Sequence, residues 1–142
     1  MTEVKISNHP PTPEEFVSLR EAVKLPPRTV ASARKGIPNS LFWVTVREGK
    51  KLVGMGRVVG DGGSVVQITD VIVDPEHQEQ GIAALIFDRI QSFIQANVPH
   101  DAFVCLFATK DAISFYETKG FRLSQEQWPG MFWPSADRKT KS

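Results

Sequence analysis

The residues of this chain that could do chemistry fall in two segments. The first, Val71-Ile72-Val73-Asp74-Pro75-Glu76-His77-Gln78-Glu79-Gln80-Gly81-Ile82-Ala83-Ala84, reads as a β-branched strand stopped by Pro75, then a turn that opens into a helix through Gly81. The first N–H groups of a helix have no intrahelical partner and its dipole favours an anion, so such a turn suits a pyrophosphate. The second segment, about thirty residues on, is Ala112-Ile113-Ser114-Phe115-Tyr116-Glu117-Thr118-Lys119-Gly120-Phe121, and it holds the one tyrosine of the chain. A phenol with a pKa near ~10 can donate a proton at neutral pH.

These two segments resemble the GNAT superfamily of N-acetyltransferases. The family's coenzyme-binding signature runs Gln or Arg, two residues, Gly, one residue, then Gly or Ala; Gln78-Glu79-Gln80-Gly81-Ile82-Ala83 has that pattern. Phe115-Tyr116 followed by Gly120-Phe121 is similar to the family's later helix and the start of its next strand. The resemblance covers residues 40 to 123 well, and the rest only in general layout. It implies an enzyme that uses acetyl-CoA as cosubstrate, held by Val71, Ile72, Val73, Gln78, Glu79, Gln80, Gly81, Ile82, Ala83, Ala84, Thr109 and Phe115. Two positions depart from the family. Glu79 and Gln80 stand where Gly or Arg is frequent, and a carboxylate beside a pyrophosphate repels it unless the side chain turns outward. Thr109 replaces an Asn that bonds the pantetheine arm in many relatives, and its hydroxyl reaches less far.

Acetyl transfer to an amine needs a neutral nitrogen, a polarised thioester carbonyl and a proton for the departing thiolate. The resemblance supplies a candidate for each. Val71-Ile72-Val73 would splay from the neighbouring parallel strand and offer N–H groups to the carbonyl oxygen and the pantetheine amides, a stabilisation of ~3 kcal/mol per donor. Tyr116 matches the aromatic position that protonates the thiolate. Asp70, one residue before the splayed segment, would take the amine's proton directly or through water; alternatively it hydrogen-bonds a turn or pairs with Arg57 across the sheet. Phe42, Trp43, Trp128 and Trp133 are either walls of an acceptor pocket or core. Gly54 and Gly56 mark a bulge, a close ligand approach, or relief of crowding.

Composition narrows the partners. At 142 residues with 41% hydrophobic content the chain fits one compact domain, and a formal charge of +1 removes the electrostatic case for nucleic acid. No long apolar run is present, so we expect no membrane span and a cytoplasmic location. Cys105 lies in the apolar run Phe103-Val104-Cys105-Leu106-Phe107 and reads as a buried structural thiol. His9, His77 and His100 are scattered singly, without metal-ligand spacing, so no metal is expected.

The elements that must position these residues are legible from periodicity. Thr12-Pro13-Glu14-Glu15 has the cap, proline and glutamate of a helix start, with the helix running to about Val23; a second short helix over Thr29 to Lys35 follows. Leu41–Val46 and Leu52–Val59 form a hairpin through Gly49, and Val65–Val73 completes an antiparallel meander. Ile82, Ala83, Ile86, Phe87, Ile90, Phe93 and Ile94 have the spacing of a half-buried helix. A fully buried strand over Phe103–Ala108, a helix over Asp111–Lys119 and a Gly120 stop follow.

The expected fold is therefore α/β in the α+β sense: a mixed, mostly antiparallel central sheet of six or seven strands with helices on both faces, as in the GNAT-like acyl-CoA N-acyltransferase fold. Residues 1–142 form a single N-acetyltransferase domain, with acceptor-side helices in 1–40, the acetyl-CoA-binding core in 41–123 and a flexible tail in 134–142. The function the resemblance implies is acetyl transfer from acetyl-CoA to a primary amine of a small molecule, by direct attack in a ternary complex. A protein lysine or N-terminus as acceptor, or a non-catalytic acyl-CoA sensor, are the alternatives. The Trp-rich C-terminal segment either lines the acceptor pocket or makes a homodimer interface.

Overall fold

The computed structural model describes residues 3–124 and 128–138. The chain divides into two compact units, Met1–Phe107 and Ala108–Ser142. Of the tail expected to be flexible, Ser135–Asp137 form a single 3-10 turn, and the basic residues after Arg138 lie outside the described residues.

In the first unit a five-stranded sheet has the order β1 (Lys5–Ser7), β2 (Phe42–Glu48), β3 (Lys51–Gly60), β4 (Val65–Val73), β5 (Phe103–Leu106). The first three pairings are antiparallel and the last is parallel. Helix α1 (Pro13–Ala22) starts as its capping box dictates: the Glu15 N–H donates to Thr12 Oγ1 at 3.1 Å and the Thr12 N–H to Glu15 Oε1 at 3.0 Å. Arg47 from β2 then grips the same carboxylate at 2.6 and 2.8 Å and holds its pKa down to about 2. Helix α2 (Val30–Gly36) is capped by Thr29.

Strand alternation sorts the core into two layers. Met55 and Ile72 face α1 and α2 with Phe16, Leu19, Ala33, Ile37 and Trp43. Gly54 and Gly56 face α3 (Ile82–Asn97), whose Ile86, Phe87 and Ile90 are wholly buried. The two glycines exist for that approach: a Cβ on Gly56 would stand 2.7 Å from Ile86 Cγ2, so the helix lies closer to β3 than any side chain permits. Helices thus cover both faces of the sheet. No helix among the described residues is long and apolar enough to cross a membrane.

Two expectations are corrected. Five strands, not six or seven, are present among the described residues: Phe121–Ser124 and 128–134 form no ladder, and Pro129 and Pro134 each remove a donor. Strand β5 is not fully buried. It is the last strand in the order among the described residues, and Phe103 is 63% exposed. Cys105 is accordingly half-buried, its thiol pKa raised by partial burial and its Sγ 3.7 Å from the Val66 carbonyl.

In the second unit, α4 (Ile113–Thr118) follows a 3-10 turn at Lys110–Ala112. It ends where Gly120, at φ +96°, lets the Gly120 and Phe121 N–H groups return to the Glu117 and Tyr116 carbonyls at 3.1 Å each.

Candidate active site

Strand β4 changes partners halfway along its length. On the β5 side the ladder runs from Val65–Phe103 to Ile68–Leu106 and stops, so Thr69–Val73 continue with β3 alone. On the β3 side Arg57 pairs with Thr69 but Met55 with Ile72, two steps against three, which leaves Asp70 and Val71 together opposite Gly56. That is a β-bulge, and bulges bend and re-aim the strand that carries the extra residue. Asp70 takes the left-handed conformation at φ +57°, which Asp tolerates better than most residues. Val71, Ile72 and Val73 thus lie beyond the end of the parallel ladder and pair on the β3 side alone.

The turn after β4 is built from its own side chains. Asp74 accepts from the Glu76 N–H at 3.2 Å, and Gln78 donates its Nε2 to the Val73 carbonyl at 3.0 Å. His77 is clamped from both sides, Nδ1 lying 3.0 Å from Asp74 Oδ2 and Nε2 3.0 Å from Glu48 Oε2 on β2. Those two hydrogen bonds, Asp74 first, raise its pKa. Glu79 at φ +66° and Gly81 at φ +81° then reverse the chain into α3. No side chain caps this sixteen-residue helix, its first turn of Ile82, Ala83 and Ala84 holds no acid, and nothing stands within 4 Å of where a Gly81 Cβ would be. N–H groups without a side-chain cap at the start of a long helix suit a diphosphate. Glu79 is exposed, so its carboxylate can turn away.

Asp70 is not free to act alone. Its Oδ1 accepts from Arg20 Nη1 on α1 and its Oδ2 from Arg57 Nε at 2.9 Å, and its side chain is 2% exposed. The pairing with Arg57 foreseen as the alternative is present, and a second guanidinium joins it. Arg57 also donates to Ser40 Oγ at 3.1 Å and stacks over the Phe16 and Trp43 rings.

The whole arrangement can be set beside known proteins. The model of the acetyltransferase (GNAT) domain matches residues 13–128. This chain belongs to the GNAT acetyltransferase family. A solved probable acetyltransferase from meticillin-resistant Staphylococcus aureus is 36% identical, with a TM-score of 0.89 over 93% of this chain and 99% of that one. An uncharacterized N-acetyltransferase of Pyropia yezoensis is 30% identical over 84% of this chain and 70% of its own length. The chloroplastic GCN5-related N-acetyltransferase 2 of Arabidopsis thaliana is 38% identical over 59% of this chain, and the matched stretch is 32% of that protein. The chain thus spans about a third of the plant relative's length.

The remaining residues expected in the GNAT site lie in the second unit. Thr109 caps the turn at Lys110–Ala112 without using its hydroxyl as a cap. Phe115 and Tyr116 meet edge to face at 5.2 Å, and Tyr116 also meets Phe121 at 6.4 Å. Burial raises the Tyr116 pKa, which keeps the phenol protonated. Of the aromatic residues considered for a pocket, Trp43 is core, its Nε1 donating to the Ile37 carbonyl at 3.1 Å, and Phe42 stacks on Phe93 at 4.2 Å. Trp128 and Trp133 are 76% and 69% exposed. No group of three or more His, Cys, Asp or Glu able to hold a metal occurs among the described residues.

The sequence did not point to Arg20 or Arg28, nor to the pairing of His77 with Glu48, which has only a weak claim as a base and otherwise ends a strand. Arg20 could have been found: with Phe16 and Leu19 it occupies one stripe of α1, and a charge on an apolar stripe needs a buried partner. His77 and Glu48 are 29 residues apart and carried no pattern.

Proposed function

We propose that this chain transfers the acetyl group of acetyl-CoA to a primary amine of a small molecule, by direct attack in a ternary complex. One observation carries the reading: β4 leaves β5 at Ile68 and, within the same continuous segment, α3 opens uncapped at Gly81. The first supplies a row of backbone groups for the thioester and the pantetheine amides; the second supplies a seat for the pyrophosphate.

The roles follow from what each residue has left to offer. The N–H groups of the Val71–Val73 segment polarise the thioester carbonyl. The amine nitrogen forms the new C–N bond, and the C–S bond breaks with its electron pair on sulfur. Tyr116, protonated because burial holds its pKa high, gives the sulfur a proton and recovers one from water. The amine's own proton leaves to water. Asp70, with both oxygens held by guanidinium groups, fixes the bulge rather than taking that proton.

Calorimetric titration with acetyl-CoA tests the reading, with dephospho-coenzyme A as control and thiol release over a panel of amines as the second readout. Micromolar binding with amine-dependent thiol release is the expected result. No binding would remove the transferase and the sensor readings together.

A further inference from the structure

The buried cluster on β4 is out of electrical balance. Arg20 and Arg57 bring two positive charges to one carboxylate, Asp70, an excess of one, and exposed Arg28 adds a third positive charge next to Arg20. The guanidinium groups are drawn together by geometry as well as by Asp70. Arg20 Nη2 donates to the Pro26 carbonyl at 2.9 Å, and Arg28 Nη1 reaches the same oxygen at 3.4 Å and the Pro27 carbonyl at 3.2 Å. Two cations thus share one backbone oxygen in the connection between α1 and α2. Arg28 is exposed and has no carboxylate partner among the described residues. The Arg20 Nε is buried and also lacks a partner among the described residues. The crowding is felt: partial burial first, then the charges of Arg20 and Arg57, hold the Arg28 pKa below its ordinary value, against the pull of Asp70.

Arg20 and Arg57 both pair with Asp70, so Arg28, open to solvent and without a carboxylate of its own among the described residues, is the charge left to meet an anion. A surplus of positive charge kept in one place is what binding an anion requires. The place is informative as well. Asp70 directly precedes the Val71–Val73 segment, and its side chain points to the α1 face, so the surplus stands beside the proposed point of transfer on the side of the α1–α2 connection. Resting on the transferase reading above, we infer that the acceptor amine carries a carboxylate or phosphate, and that this anion seats on Arg28 beside the Arg20–Asp70–Arg57 cluster. The same positive excess disfavours the ammonium form of the acceptor and so favours the neutral nucleophile. A planar guanidinium with free N–H groups suits either anion bidentately.

Two matched probe pairs separate the sources of the anion: O-phosphoethanolamine against ethanolamine, and β-alanine against β-alaninamide. Their dissociation constants are measured by NMR titration on the full chain and its Arg28→Ala and Arg28→Lys variants, each with and without coenzyme A. The anionic member of one pair is expected to bind about tenfold or more tighter than its neutral mate, the scale of one charge-assisted hydrogen bond. In Arg28→Ala that ratio should fall towards one, and Arg28→Lys should keep part of it. Equal affinities within both pairs, no binding of either anionic probe, or a ratio untouched by Arg28→Ala would overturn the inference. Failure of coenzyme A to bind would count against the transferase reading instead, since the anion preference is read without it too.

Discussion

Replacing Asp70 by Asn tests whether that residue is a hub or a base. The substitution keeps the side chain's shape, and Asn tolerates the left-handed backbone at φ +57°. What it removes is the one negative charge shared by Arg20 and Arg57, whose side chains are 8% and 17% exposed, so water cannot take its place. Breaking a buried ion pair by deleting one partner costs about 3–5 kcal/mol, because the other charge is left uncompensated. Two guanidinium groups lose their partner here, and we expect about 4 kcal/mol, read as a fall of about 12 °C in Tm at roughly 3 °C per kcal/mol for a chain of this size. The assay is thermal unfolding followed by circular dichroism, with urea midpoints at unchanged m as the check on two-state behaviour. Arg20→Met in the Asp70→Asn background should recover stability, since it deletes one of the stranded charges; alone it should destabilise. An Asp70→Asn protein within about 1 kcal/mol of wild type that has lost acetyl transfer would refute the hub and restore Asp70 as the base, since the buried-pair cost would then be missing.

Four further outcomes are expected. His77→Gln should flatten the pH dependence of stability above the unfolded value near ~6.5: the folded-state pKa of His77 is raised, so its contribution is complete below that unfolded value and is lost as pH rises through the raised one, a loss that urea midpoints at several pH values would show only in wild type. Gly56→Ala puts a Cβ 2.7 Å from Ile86 Cγ2 and 3.0 Å from Ile90 Cδ1 and should destabilise by about 1–3 kcal/mol, with Ile86→Val recovering part in the double variant. Glu79→Gly relieves the strain at φ +66° and removes a carboxylate beside the α3 N-terminus, so calorimetry should find coenzyme A bound about two- to fivefold tighter. Tyr116→Phe should lower turnover by about ten- to a thousandfold while leaving the coenzyme dissociation constant unchanged; equal turnover would take Tyr116 out of the mechanism.

Much of the first unit was legible because its signals are local. Thr12, Pro13 and Glu15 specify the start of α1 within four residues, and Ile82, Ile86 and Ile90 specify the buried stripe of α3 by spacing alone. The turn through Gly81 was legible for the same reason: a proline stop and a glycine opening lie on one continuous segment. What the sequence could not show is pairing between distant residues. Nothing in the run Val65–Val73 says that β5 stops at Ile68, since the end of a ladder depends on where Leu106 leaves the sheet. The bulge at Asp70 is likewise invisible, because it is a mismatch of two steps on β3 against three on β4. Arg20 and Asp70 are fifty residues apart, and nothing in the sequence names either as the other's partner. The count of strands failed for a related reason: the segment after Gly120 has β-compatible composition but forms no ladder among the described residues.

The local rules that this chain breaks fall where the chemistry is proposed. Three non-glycine residues among those described have left-handed backbone: Lys24, Asp70 and Glu79. Lys24 closes α1, with the Lys24 and Leu25 N–H groups returning to the Glu21 and Arg20 carbonyls at 2.9 and 3.1 Å, and so starts the connection that carries Pro26 and Arg28. Asp70 makes the bulge just before Val71–Val73. Glu79 turns the chain into the open end of α3. Glycine would relieve strain at each position, so the surroundings must over-determine these conformations. At Asp70 the determinant is visible: Arg20 and Arg57 hold the carboxylate from two elements, and the backbone follows the side chain. A glycine there would keep the φ angle and lose the anchor, leaving both the bulge and the guanidinium groups without what fixes them. Buried charge and strained backbone are thus one device, with a carboxylate on β4 setting the aim of the segment proposed to hold the thioester.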